Sequence, residues 1–190
     1  MHIAIAGCGH AALVALDGLA RRPLPPGTTL TVVSEDETAP YSGMLPGWVE
    51  GLYAADALHV PIAPVVERAG GRFLRGAVAG LDADARILRL SDGRAIAFDV
   101  AVLNTGSRPS RPGGDGAPPL DLPAKPIPAF QAGVEALHAA LAGGAERRLA
   151  IVGAGAGGSE LALAFSARAV RERLPLSLHL VEAGPAILSG

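Results

Sequence analysis

The sequence predicts an α/β protein: a parallel sheet carrying an added β-meander, followed by the first β-α-β of a second parallel unit. Three observations predict it. The apolar run His2 to Ala6 breaks at Gly7-Cys8-Gly9 and passes into an Ala/Leu-rich helical stretch. The same transition recurs where Leu149 to Val152 meets Gly153-Ala154-Gly155. Between the two copies, residues 73–102 hold short apolar runs separated by turn residues, as strands do.

Taken in order, His2 to Ala6 is a strand and Ala11 to Ala20 a helix, stopped by the breakers between Pro23 and Gly27. Thr28 to Val33 has the β-branched content of a second buried strand, which completes a β-α-β unit over residues 1–35. Asp36 to Gly51, punctuated by Pro40, Gly43, Pro46 and Gly47, reads as a loop, and Pro61 to Val66 as a short helix. Phe73 to Leu81, Ile87 to Ser91 and Ala95 to Phe98 form the meander, with a turn at Asp92-Gly93. Val100 to Leu103 is one more strand, running into Asn104-Thr105-Gly106. Residues 108–128, dense in Pro and Gly, read as an extended linker. Phe130 to Ala142 is helical, and a second β-α-β runs from Leu149 through Gly153 to Arg173 and on to Leu176 to Val181.

Composition narrows the chemistry. A length of 190 residues with 49% hydrophobic content supplies a core for one to one and a half domains. A net charge of -2 and a pI near 6.2 leave no basic face for a phosphate backbone, so nucleic acid is not an expected partner. Cys8 is the sole cysteine, which excludes internal disulfides, cysteine metal clusters and a dithiol redox shuttle, and fits a reducing cytoplasm. Mean hydropathy is positive at +0.35, but the Ala that causes it is scattered among Gly, Pro and Arg, so no transmembrane segment is expected. The amino terminus enters a strand directly and does not read as a secretory signal.

The two glycine turns carry the chemistry. A diphosphate needs a cluster of N–H donors, and the first turn of a helix offers them at the positive end of its dipole. In the first copy Gly7 makes the tight turn, Gly9 presents bare backbone through His10 and Ala11, and Ala12 is small enough for close helix-strand packing. Gly153, Gly155, Gly157 and Gly158 repeat that logic. Each copy is therefore Rossmann-like. An acid at the end of the second strand receives ribose hydroxyls. Glu182 holds that place in the second copy, where it favours NADH over NADPH by repelling a 2′-phosphate. In the first copy Ser34 aligns with the strand end and Glu35 is the nearest acid, so Glu35 is expected to receive the ribose. Glu160, early in the second helix, is either a cofactor contact or a complement to the helix dipole. Cys8 reads as a small turn residue, its alternative being a thiol activated by the helix terminus.

The order of glycine turn, meander, Asp99 to Pro109 and second glycine turn resembles the pyridine nucleotide-disulfide oxidoreductase superfamily. Pro40-Tyr41-Ser42-Gly43-Met44-Leu45-Pro46-Gly47 and Lys125-Pro126-Ile127 resemble its NADH dehydrogenase-like branch, in particular the flavoprotein modules joined to selenide, water dikinase. The resemblance implies FAD at the first turn and NAD(P)H at the second. It places Thr105 and Gly106 near the flavin, the backbone of Val78 at the adenine, and Ser42, Gly43 and Met44 where disulfide reductases hold their cysteine pair. Lys125 is then either a flavin-side cation or a solvated one. The implied domains are an FAD domain over 1–110, the linker over 111–128 and the start of an NAD(P) domain over 129–190.

In this family a later segment returns to complete the FAD site, so the expectation is a truncated chain. Implied for the parent protein are hydride transfer from NADH through flavin to a quinone or other small acceptor, and a cytoplasmic location peripheral to the membrane. A homodimer is compatible with the open strand edge that truncation leaves. Two other readings stay open: a non-catalytic dinucleotide-binding module, and a single-cofactor NAD-dependent dehydrogenase.

Overall fold

The structure is a computed structural model that describes residues 1–107 and 122–188. By packing, the chain divides into two units, residues 1–41 with 59–107 and residues 42–58 with the carboxy-terminal part.

In the first unit, β1 (His2–Ala6), β2 (Thr29–Ser34), β5 (Arg72–Arg75) and β9 (Val100–Leu103) form one parallel sheet in the order β5-β2-β1-β9. Alternation along the strands sorts their side chains to two faces. Ile5, Leu30 and Val32 face α1 (His10–Arg21) and α3 (Ile62–Arg68), where they pack with Leu16, Ile62 and Val66. Ala4, Ala6 and Val33 face the other way, onto Leu88, Leu90, Ile96 and Phe98. Those residues come from the meander β6 (Val78–Asp82), β7 (Ile87–Leu90) and β8 (Ala95–Ala97), which is antiparallel throughout. Leu16 is fully buried, so its truncation to Ala costs about 2–5 kcal/mol.

Residues 36–51 are not the loop that their Pro and Gly content suggests. β3 (Thr38–Pro40) pairs antiparallel with β4 (His59–Pro61), and α2 (Leu45–Glu50) follows a 3-10 turn over Ser42–Met44. Pro46 lies in the first turn of α2, where its missing N–H costs nothing, and Gly51 ends the helix at φ 87°. The stretch Phe73 to Leu81 is likewise two strands rather than one. The Gly76 N–H donates to Ser34 O, and the chain leaves the parallel sheet there to begin the meander.

The second unit holds β10 (Arg147–Val152) and β11 (Leu176–Val181), paired in parallel, with α5 (Ala156–Glu172) between them in sequence. Its other long helix is α4 (Ile127–Ala142), which starts inside the stretch read as linker; residues 108–121 of that stretch lie outside the described residues. Trp48, Val49, Leu58, Phe130, Val134 and Phe165 form its core. Residues 42–58, read from sequence as part of the first domain, contribute half of those side chains. No helix among the described residues is long and apolar enough to cross a membrane.

Candidate functional site

The first glycine turn is built by the register of three strands. β1 lies between β2 and β9, and at its end the Gly7 N–H donates to Val33 O at 2.7 Å while the Asn104 N–H donates to Ala6 O at 2.7 Å. Gly7 has φ +83°, and a Cβ on it would lie 2.2 Å from Asn104 O, so only glycine fits. Gly9 is the extended residue that precedes α1. His10 and Ala11 open the helix at its exposed end, and their N–H groups precede the intrahelical ladder. Ala12 is buried, its N–H donating to Asn104 Oδ1 at 3.3 Å. The His10 ring lies 5.0 Å from that of Tyr41, tilted by 34°.

The second turn repeats the geometry with different details. The Gly153 N–H donates to Val181 O at 2.8 Å, and Gly153 has φ +98°. A Cβ on Gly158 would lie 1.9 Å from Gly153 O, which is the close helix-strand approach expected of the third small residue. Around Gly155 and Gly157 a Cβ would meet nothing within 4 Å. Their bare sides therefore face open space. Glu182 closes the turn: its Oε2 accepts the Ala154 N–H at 2.6 Å, and its Oε1 accepts those of Ala183 at 2.8 Å and Gly184 at 3.2 Å. These three donors, Ala154 first, hold the carboxyl below the ordinary carboxylate range, so it is ionised at neutral pH.

Corresponding bonds from Gly7 to Val33 and from Gly153 to Val181 make Ser34 the counterpart of Glu182. Glu35, preferred from sequence, lies one residue further on. It is exposed, and its carbonyl accepts from Arg75 Nε at 3.2 Å. Val78 opens β6, two residues after the Gly76 bond to Ser34, so the strand end and the start of the meander meet. Thr105 and Gly106 follow Asn104, both exposed, with Gly106 at φ +80°.

The other predicted residues do not join the first turn's unit. Ser42, Gly43 and Met44 pack by unit with α2, α4 and α5, and Lys125 is exposed ahead of α4. Glu160 is exposed on the second turn of α5. Cys8 is buried inside the first turn, and burial pushes its thiol up to about 11. That opposes activation by the helix terminus and leaves Cys8 a packing residue. Asn104 is the residue that the sequence analysis missed. Its partner Ala12 stands 92 positions away, so no local pattern reveals it.

Two strand, glycine-turn and helix units of this kind, one bearing a β-meander, define a Rossmann-type α/β protein. The family model of the pyridine nucleotide-disulphide oxidoreductases matches residues 1–190, and the chain belongs to that family. Among solved structures it is similar to the water-forming NADH oxidase from Lactobacillus brevis bound to NADH, at TM-score 0.78 and 22% identity, over 99% of this chain and 41% of that one. It is also similar to the sulfide:quinone oxidoreductase from Aquifex aeolicus, at TM-score 0.76 and 17% identity, over 97% of this chain and 43% of that one. A third is the NAD-dependent persulfide reductase from A. fulgidus, at TM-score 0.77 and 20% identity, over 99% of this chain and 35% of that one. The chain thus spans less than half the length of each of these relatives. No curated protein matches it.

Proposed function

We propose that the chain is the cofactor-binding part of an FAD-dependent NAD(P)H oxidoreductase, with FAD at the Gly7 turn and NADH at the Gly153 turn. The observation that carries this is the open bare backbone at Gly155 and Gly157, within a chain whose whole length matches the family. The first unit is then the FAD domain, and the part of the chain after the linker begins the NAD domain. Bound at the Gly7 turn, FAD would supply the two-electron chemistry of such an oxidoreductase.

The protein's share is binding and orientation. The N–H groups of His10 and Ala11 face the FAD diphosphate at the positive end of α1. Ser34 and Glu35 lie toward the ribose, and the backbone of Val78 toward the adenine. In the same arrangement Thr105 and Gly106 flank the flavin. At the NADH site Gly155 and Gly157 admit the diphosphate. Glu182 Oε2 keeps a lone pair beyond the Ala154 bond, which suits one ribose hydroxyl and disfavours a 2′-phosphate. Glu160, exposed on the following turn of α5, faces the same ligand.

The buried thiol of Cys8 is given no part in the redox chemistry, and the proposed acceptor is a quinone or another small molecule. A sulfide:quinone oxidoreductase among the similar structures supports a quinone as a candidate. The test is to titrate the purified chain with FAD and then add NADH without oxygen. FAD binding followed by bleaching of its visible band is expected. Binding without bleaching leaves a nucleotide-binding module, and absence of any FAD binding rejects the reading.

A further inference from the structure

We propose that Asn104 contacts the cofactor at the first glycine turn: its Oδ1 caps α1, and its amide NH2 donates to the dinucleotide's diphosphate. This rests on the reading of the Gly7 turn as a dinucleotide site, which the family match carries rather than the helix terminus alone.

The orientation of the amide follows from its hydrogen bond with Ala12. A backbone N–H can be met only by the amide oxygen, and the Ala12 N–H lies 3.3 Å from Oδ1. The NH2 is therefore the end left to face something other than the helix. Its location is set by Gly9: a Cβ on that residue would lie 2.9 Å from Oδ1, 3.5 Å from Cγ and 3.6 Å from Nδ2. The amide plane thus covers the bare side of the residue that opens the turn.

The second turn provides an internal contrast, because a Cβ on Gly155, the counterpart of Gly9, would meet nothing within 4 Å. One turn is open, and the other has a neutral donor laid across it. A neutral amide suits that place because it satisfies the Ala12 N–H without setting an anion beside the diphosphate. Capping and ligand contact are then divided between the two ends of one side chain. The backbone holds it in register, since the Asn104 N–H donates to Ala6 O, directly before Gly7.

The test uses Asn104→Asp and Asn104→Leu in the full chain, with FAD and ADP as probes. Aspartate keeps an acceptor for the Ala12 N–H and adds favourable charge at a helix amino terminus, so the Tm should not fall. It also removes the donor and places an anion beside the phosphates, so affinity per folded molecule should drop by about tenfold to a hundredfold. Leucine removes both functions and should lower both readouts. An Asn104→Asp chain that binds FAD and ADP as tightly as wild type overturns the assignment, whatever its Tm, and leaves only a cap. A wild-type chain that binds neither probe removes the proposed function and this assignment together.

Discussion

Glu182 Oε2 accepts the Ala154 N–H at 2.6 Å, joining the end of β11 to the middle of the second glycine turn. An ionised carboxylate therefore stands at the turn before any nucleotide arrives. Glu182→Gln replaces that anion with a neutral amide, and the preference for NADH over NADPH should narrow severalfold in paired titrations. Its carboxyl is depressed in the folded chain, so the stability it contributes is present above the unfolded-state value and is lost as pH falls through the lowered one. The gap in urea midpoint between wild type and Glu182→Gln should close in acid.

Two glycines serve the fold whether or not a ligand binds. A Cβ on Gly7 would lie 2.2 Å from Asn104 O, and one on Gly158 would lie 1.9 Å from Gly153 O. Both neighbours are backbone and cannot swing aside. Gly7→Ala, strained further by its positive φ, and Gly158→Ala should each cost about 1–3 kcal/mol in chemical denaturation. Unchanged midpoints would contradict the packing described.

Cys8 is buried and its thiol is raised to about 11. Ellman's reagent at pH 8 should react slowly with the native chain and at once with the unfolded one. The raised value also fixes a sign: the group's contribution to stability is complete below the unfolded thiol's value and is lost as pH climbs toward 11. Rapid native-state labelling would restore a reactive role for this thiol.

How far the sequence reaches is visible residue by residue. The glycine turns were legible because each needs specific residues within six positions, next to a strand and a helix whose periodicity is plain. α2 was not, since Leu45-Pro46-Gly47 has loop composition and its helix is stabilised by Trp48 and Val49 packing in the second unit's core. The break at Gly76 was hidden for a similar reason: Phe73 to Leu81 is apolar apart from Arg75, and only sheet pairing separates its halves. Ser34 and Glu35 could be ranked only once the strand register was known, and Asn104 acts across 92 residues.

In the second unit, Glu172 accepts from His138 Nε2 at 2.6 Å and from Arg168 Nε at 3.1 Å, which links α4 to the end of α5. The His138 bond, with help from Arg171 and Arg168, lowers its carboxyl to about 2. The stability gained is present above the ordinary value of 4.5 and is lost as pH falls from there toward 2. Glu172→Gln should cost about 1 kcal/mol or less at neutral pH, because solvent screens the cluster, and nothing near pH 2. Thermal melts across that range check it.

NADH affinity of Gly155→Ala, measured beside its melting temperature, tests most directly the claim that open main chain at the glycine turns holds a diphosphate. Gly155 has φ -66° and ψ -177°, and a Cβ there meets no protein atom within 4 Å, so the methyl should leave the fold intact or slightly firmer. The account predicts an unchanged or raised Tm with NADH binding weakened at least about tenfold. Equal NADH affinity in the two proteins would contradict it.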